Sequence, residues 1–152
     1  MTVTVNGLAE LRKLAGSDLG TTAWTEITQD RIDAFADATG DHQWIHTDPE
    51  RAAAGPFGAA IAHGYLTLSL FLPLFTGLLA VEGVTTKVNY GLNRVRFPAP
   101  VPAGARIRLA ARLAEVADVP GGGVQLTVDG TIEIEGGAKP ACVLQSISRF
   151  YA

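Results

Sequence analysis

The sequence predicts an α+β fold in which an antiparallel β-sheet wraps around a long, apolar central helix. Three observations carry that expectation. Apolar and polar residues alternate in the C-terminal half, an uncharged stretch covers residues 59–81, and the helical patterns precede the strand patterns along the chain. The chain has 152 residues, 47% hydrophobic and 18% charged, which is long and apolar enough for one core rather than a disordered chain. Residues 1–152 are therefore read as a single domain.

Leu8, Leu11 and Leu14 share one face of a short helix expected over residues 6–15. Residues 21–27 read as an extended segment ending in a turn. Thr28 can cap the next helix, and Asp30 lies in its first turn, where a negative charge meets the positive end of the helix dipole. Ile32, Phe35 and Ala36 form the apolar stripe of that helix, with Asp33 and Asp37 facing outwards. Gly40, which tolerates a left-handed backbone, ends it. Asp48-Pro49 then opens another short helix, with Asp48 as cap and Pro49 in the first helical position. Gly55-Pro56-Phe57-Gly58 is a turn into the apolar stretch. There Leu66, Leu68, Leu70, Phe71, Leu72, Leu74 and Phe75 leave no wide polar face, so the central helix is expected to be buried nearly all round. Pro73 removes one of its hydrogen bonds and should bend or end it.

Beyond this helix the period is two. Ile107, Leu109, Ala111 and Leu113 alternate with Arg106, Arg108, Ala110 and Arg112. Val124, Leu126, Val128, Ile132 and Ile134 alternate likewise with Gln125, Thr127, Asp129, Thr131, Glu133 and Glu135. Pro120-Gly121-Gly122-Gly123 and Gly136-Gly137 separate these strands as turns. Residues 85–92 and 142–150 supply further strands.

Several classes of function are excluded or disfavoured. A net charge of -3 without a basic tail argues against nucleic acid as a partner. The single cysteine, Cys142, rules out an intrachain disulfide framework and a cysteine-rich zinc site, and reads as a buried strand residue. The uncharged stretch is long enough to span a bilayer, but His63, Gly64, Pro73 and Gly77 interrupt it and no basic clusters flank it, so a buried helix explains it better. Residues 1–19 include Glu10, Arg12, Lys13 and Asp18 and lack a signal-peptide core, which makes a cytoplasmic location the expectation. No His, Cys and carboxylate group has zinc spacing, His42 with His46 being too isolated, and no glycine-rich nucleotide fingerprint follows a strand.

The chemistry concentrates in Gly40-Asp41-His42-Gln43-Trp44-Ile45-His46. Asp41 and His46 follow a helix end and can converge on one water or substrate atom. A carboxylate can accept a proton from water while a neutral imidazole orients the oxygen. Spacing alone favours the blander reading, with Asp41 capping a turn and His46 packing in the loop.

Three pieces, residues 39–49, 55–67 and 89–102, together resemble the MaoC-like and NodN-like (R)-specific enoyl-CoA hydratases. The resemblance implies a hot-dog fold with its core over residues 24–150, no metal or redox cofactor, and coenzyme A as part of the substrate. An acyl carrier protein could carry the acyl group in place of coenzyme A. It places the catalytic acid on Asp41, the catalytic histidine on His46 and a backbone N–H donor for the thioester oxygen on Gly64. Where the commoner family pattern has Asn-Pro, this chain has Gln43-Trp44, which leaves the acid–histidine pair intact. Gln43 is a candidate to position water or acyl group, Trp44 to shape or cover the pocket, and Tyr65 to line the acyl channel or pack in the core. His63 reads either as a histidine satisfied within the loop or as a group touching substrate. Arg94 and Arg96, with Lys87 placed on their side, form a positive edge suited to coenzyme A phosphates, although a solvated patch or an intersubunit ion pair accounts for them equally well. The family also implies a homodimer with the site near its interface. Thioester hydrolysis and acyl-thioester binding without catalysis are the alternative functions.

Overall fold

The computed structural model describes residues 1–152. Its elements run β1 (Val3–Asn6), α1 (Gly7–Lys13), β2 (Ser17–Thr21), β3 (Thr25–Glu26), α2 (Gln29–Thr39), α3 (Trp44–Thr47), α4 (Pro49–Ala53), α5 (Gly64–Ser69), α6 (Phe71–Thr76), β4 (Leu79–Glu82), β5 (Thr86–Arg96), β6 (Arg106–Val119), β7 (Gly123–Ile134) and β8 (Cys142–Tyr151). The large sheet is antiparallel in the order β2-β6-β7-β8-β5, with β3 also paired to β6. β6, β7 and β8 form the expected meander. β5 precedes them in sequence yet pairs with β8, so it forms the far edge of the sheet.

Alternation decides which face is which. Ile107, Leu109, Leu113, Val124, Leu126, Val128, Ile132 and Leu144 are all buried on the inner face, against Leu66, Phe71 and Phe75 of α5 and α6. The outer face carries cross-strand pairs, including Arg108 with Glu133 at 2.6 Å and Arg112 with Asp129 at 4.0 Å. Such exposed pairs each contribute at most about 1 kcal/mol, so they keep that face soluble more than they hold the sheet together. Gly130 on β7 lets the helix approach: a Cβ there would lie 3.2 Å from the Phe71 ring and 3.3 Å from Leu109 and Leu144.

The continuous, fully buried central helix is not what forms. The apolar stretch divides into an extended piece at residues 60–62, the short helices α5 and α6 meeting at Leu70, and strand β4. Pro73 cannot donate to the carbonyl of Ser69 and its ring crowds that carbonyl, so the ladder fails just upstream of the proline. The Ser69 hydroxyl turns back to donate to the Tyr65 carbonyl at 2.7 Å. Beyond Gly77, residues 79–82 pair in parallel with the N-terminal strand β1, which periodicity did not anticipate. Only one side of the helical pair is covered. Leu66, Phe71 and Phe75 are buried, while Tyr65, Ser69 and Pro73 are exposed and Leu68 and Leu72 lie between. No helix is long and apolar enough to cross a membrane.

Candidate active site

The residues that matter are held by three local structures. In α2 the Thr28 hydroxyl accepts from the Arg31 N–H at 3.2 Å, and Gly40 closes the helix at φ 82°, its N–H donating to Ala36. That left-handed residue aims the chain so that Asp41 emerges beside the helix end. The single turn α3 carries His46, and α4 follows under its Asp48 cap and Pro49. The third structure is the extended segment leading into α5. Its Ala62 N–H donates to Val101 at 2.8 Å and its Ala60 carbonyl accepts from Ala103 at 2.8 Å, tying it to the loop before β6.

These structures meet at Ile61. Its N–H donates to the Ile45 carbonyl at 3.0 Å, and its carbonyl accepts from His46 Nδ1 at 2.6 Å. A carbonyl can only accept, so Nδ1 bears a proton, and in the neutral imidazole Nε2 keeps its lone pair. Gln29 on α2 secures the same turn, its amide donating to the His46 carbonyl at 2.7 Å and to Asp33 at 2.9 Å. His46 is buried, whereas Asp41 is exposed at the mouth.

The cleft so formed has a volume of about 400 Å³ and is lined by Phe35, Thr39, Asp41, His46, His63, Gly64, Tyr65 and Phe97. One carboxylate oxygen of Asp41 and one nitrogen from each of His46 and His63 lie within 4.8 Å of one another. This separation suits one bridging water between acid and imidazole. It does not suit a chelated metal. The imidazoles are stacked with centroids 3.9 Å apart and planes inclined by only 23°. Zinc lies in the plane of each imidazole that binds it, at about 2 Å from nitrogen, and no point near this stack satisfies both rings. Gly64 opens α5, so its N–H has no acceptor within the helix. A Cβ on Gly64 would lie 3.2 Å from the Phe97 ring, tighter than an ordinary contact, so glycine suits that packing.

Asp41, His46, His63, Gly64 and Tyr65 are thus brought together, and four expected site residues are not. Gln43 is exposed at the N-cap of α3 and reaches Asp41 only through its backbone N–H, 3.4 Å from Asp41 Oδ1. Trp44 turns away to stack under the Arg51 guanidinium at 4.3 Å, in space left by Gly55, where a Cβ would lie 2.9 Å from the indole. Arg94 and Arg96 stand opposite Gln145 and Val143 on the outer face of the sheet, and the Arg96 guanidinium folds back onto the Val95 carbonyl. Lys87, seven positions before Arg94, stands on the other face because the two bulges between them cancel, and it lies opposite buried Phe150 with its ammonium 5.3 Å from that ring. Phe35, Thr39 and Phe97 were missed. Phe35 and Thr39 are four apart on one helix face, a signal legible in the sequence, but Phe97 reaches the cleft only through the tertiary fold. A second groove of about 460 Å³ lies further along α5 and α6 against β5 and β8, lined by Leu68, Ser69, Leu72 and Ser146 among others. It holds no acid, histidine or cysteine. Cys142 is buried on β8, and burial pushes its thiol up to about 11, away from reactivity.

The sequence model of the MaoC-like domain matches residues 10–133. The chain belongs to the MaoC-like dehydratase family. It is 55% identical to 3-hydroxyacyl-thioester dehydratase Z of Mycobacterium tuberculosis over 149 residues, covering 98% of this chain and 99% of that protein. Nodulation protein N of Rhizobium leguminosarum is 45% identical over 136 residues, with 88% of this chain and 84% of that protein covered. Two solved structures share the fold at 24% identity. A protein of Archaeoglobus described as a monoamine oxidase regulatory protein superposes with a TM-score of 0.77 over 98% of this chain and 96% of its own. An unliganded R-hydratase of Pseudomonas aeruginosa gives 0.70 over 92% and 82%. The chain is an enzyme of the dehydratase class with a hot-dog fold.

Proposed function

We propose that this MaoC-like enzyme catalyses the reversible syn addition of water to trans-2-enoyl thioesters, giving (R)-3-hydroxyacyl thioesters. The observation that carries the reading is the closeness of Asp41 to His46, with a carboxylate oxygen and a ring nitrogen within 4.8 Å and His46 Nδ1 engaged by the Ile61 carbonyl. The Asp41 carboxylate takes a proton from one water while His46 orients its oxygen, and hydroxide adds to the β-carbon. Electrons move from the alkene onto the thioester oxygen, where the Gly64 N–H, at the start of α5, stabilises the enolate. The proton held by Asp41 then passes to the α-carbon on the same face, so one water supplies both atoms and the enzyme returns to its starting state. Dehydration is the same path reversed. The thioester class is supported by the 55% identical mycobacterial relative, a 3-hydroxyacyl-thioester dehydratase.

The carrier is coenzyme A, with an acyl carrier protein as the substitute, and neither serves as a separate cofactor. The enzyme is proposed to act in the cytoplasm as a homodimer. Support for the dimer is the exposed edge strand β5, whose Val88, Tyr90 and Leu92 are 43%, 57% and 45% exposed beside the half-covered helices. The test is an assay with trans-2-enoyl-CoA substrates of several chain lengths, with chiral analysis of the product. Formation of the (R)-3-hydroxyacyl thioester is the expected result. Release of free coenzyme A without hydroxyacyl product would overturn it in favour of thioester hydrolysis.

A further inference from the structure

We propose that His63 is a positioning residue, which fixes Asp41 relative to His46 by holding the Asp41 backbone; this rests on the reading of Asp41 and His46 as the reacting pair. His63 Nε2 lies 2.9 Å from the main-chain carbonyl of Asp41, 22 positions away in sequence. The carbonyl accepts, so Nε2 carries the proton and donates. Asp41 has few other restraints. Its own N–H meets the Thr39 hydroxyl at 3.3 Å, and Oδ1 meets the Gln43 N–H at 3.4 Å, both long and both within the same turn. It is exposed, outside regular structure, and preceded by Gly40 with its permissive backbone. The His63 bond is the only one that reaches it from elsewhere in the fold.

The platform supplying that bond is rigid. His63 is 2% exposed, caps α5, and its carbonyl accepts from the N–H groups of Leu66 and Thr67. Its ring stacks on His46 at 3.9 Å and tilts against Phe35 at 4.8 Å. Ile61, two residues before it, anchors His46 Nδ1, and Gly64 follows it directly. The short run from Ile61 to Gly64 therefore sets the place of the acid, the imidazole and the N–H donor together. Packing does not explain the imidazole: its Nδ1 is buried without a partner, a defect that an apolar ring of similar size would avoid.

Misplacing a reacting group by about 1 Å can cost about 100-fold in rate. His63→Phe keeps a ring against His46 and Phe35 but removes the donor; kcat is expected to fall about 10- to 100-fold with KM changed far less. His63→Gln places an amide N–H near the Nε2 position and should recover most of kcat, whereas His63→Asn, whose shorter amide falls short of Asp41, should not. In an Asp41→Asn background His63→Phe should cost little more, because the group it positions is already disabled. Circular dichroism and melting temperature establish that each variant is folded, and the Gln and Asn pair carries the test if the Phe variant is not. Wild-type kcat in folded His63→Phe, equal rates for the Gln and Asn variants, or full multiplicative loss in the Asp41→Asn background would each overturn the proposal. Full activity of Asp41→Asn by itself would instead sink the underlying assignment of the acid, so the two failures are distinguishable.

Discussion

Asp41 and His46 differ in almost every respect except their proximity. One is exposed on a turn with weak local restraints, and the other is buried with its ring nitrogen bonded to Ile61. Asp41→Asn nearly preserves shape but removes the charge that accepts a proton from water, and His46→Ala removes the group that orients it. Each should lower kcat about 100- to 10,000-fold, the usual span for general acid–base groups. The double variant should lose little beyond the worse single, since either change disables one shared water. Folded Asp41→Asn with near-wild-type hydration would refute the mechanism. Cys142 supports a prediction of another kind. Its buried thiol is pushed up to about 11 from 9.0, so the folded state keeps a proton that the unfolded state sheds first. The resulting stabilisation is complete below pH 9 and is lost as pH rises through about 11. Thermal unfolding across that window should show the lead of wild type over Cys142→Ala shrinking with pH. Parallel curves for the two proteins would contradict the burial effect.

Among the elements, the helical pair and the strand beneath it are matched in shape. α6 lies against β7 because Gly130 presents no side chain, and the stacked Phe71 and Phe75 rings, 5.4 Å apart, fill the space. Gly130→Ala should destabilise the fold by about 1–3 kcal/mol, the usual range for overpacking a core. Because each kcal/mol moves the midpoint of a domain this size by roughly 2–4 °C, a melting curve resolves the effect. An unchanged midpoint would mean that the helix shifts freely, and the contact would lose its importance. The divided helix has a related cause. Pro73 was readable in advance as a weak point, but not the use of that break to release residues 79–82 into a strand.

For the whole molecule, the uneven covering of the sheet has the largest consequence. β2 and β3 close one edge on β6, while every residue of β5 but Val95 is exposed at the other. A second copy pairing there would protect backbone groups and cover the apolar surface of Tyr90, Leu92 and Phe97, next to the cleft that Phe97 lines. Light scattering over a dilution series should report the mass of two chains, and Leu92→Asp should shift the equilibrium towards one. A persistent monomer with full activity would remove the dimer from the mechanism.

Much of this was legible in one dimension, for a common reason. Period-two alternation, the Thr28 cap, Gly40 at the helix end and the Asp48-Pro49 start all act through neighbours along the chain, so local chemistry specifies them. The acid and the histidine of the cleft were legible only through the resemblance to the family, since their spacing by itself favours a turn cap and a packed loop histidine. What could not be read were relations between distant segments. The pairing of β1 with β4, the pairing of β5 with β8, and the turning of Trp44 onto Arg51 all depend on which partner each segment meets. So does the bond from His63 to the Asp41 carbonyl, for a backbone oxygen carries no mark in the sequence of the side chain that will reach it.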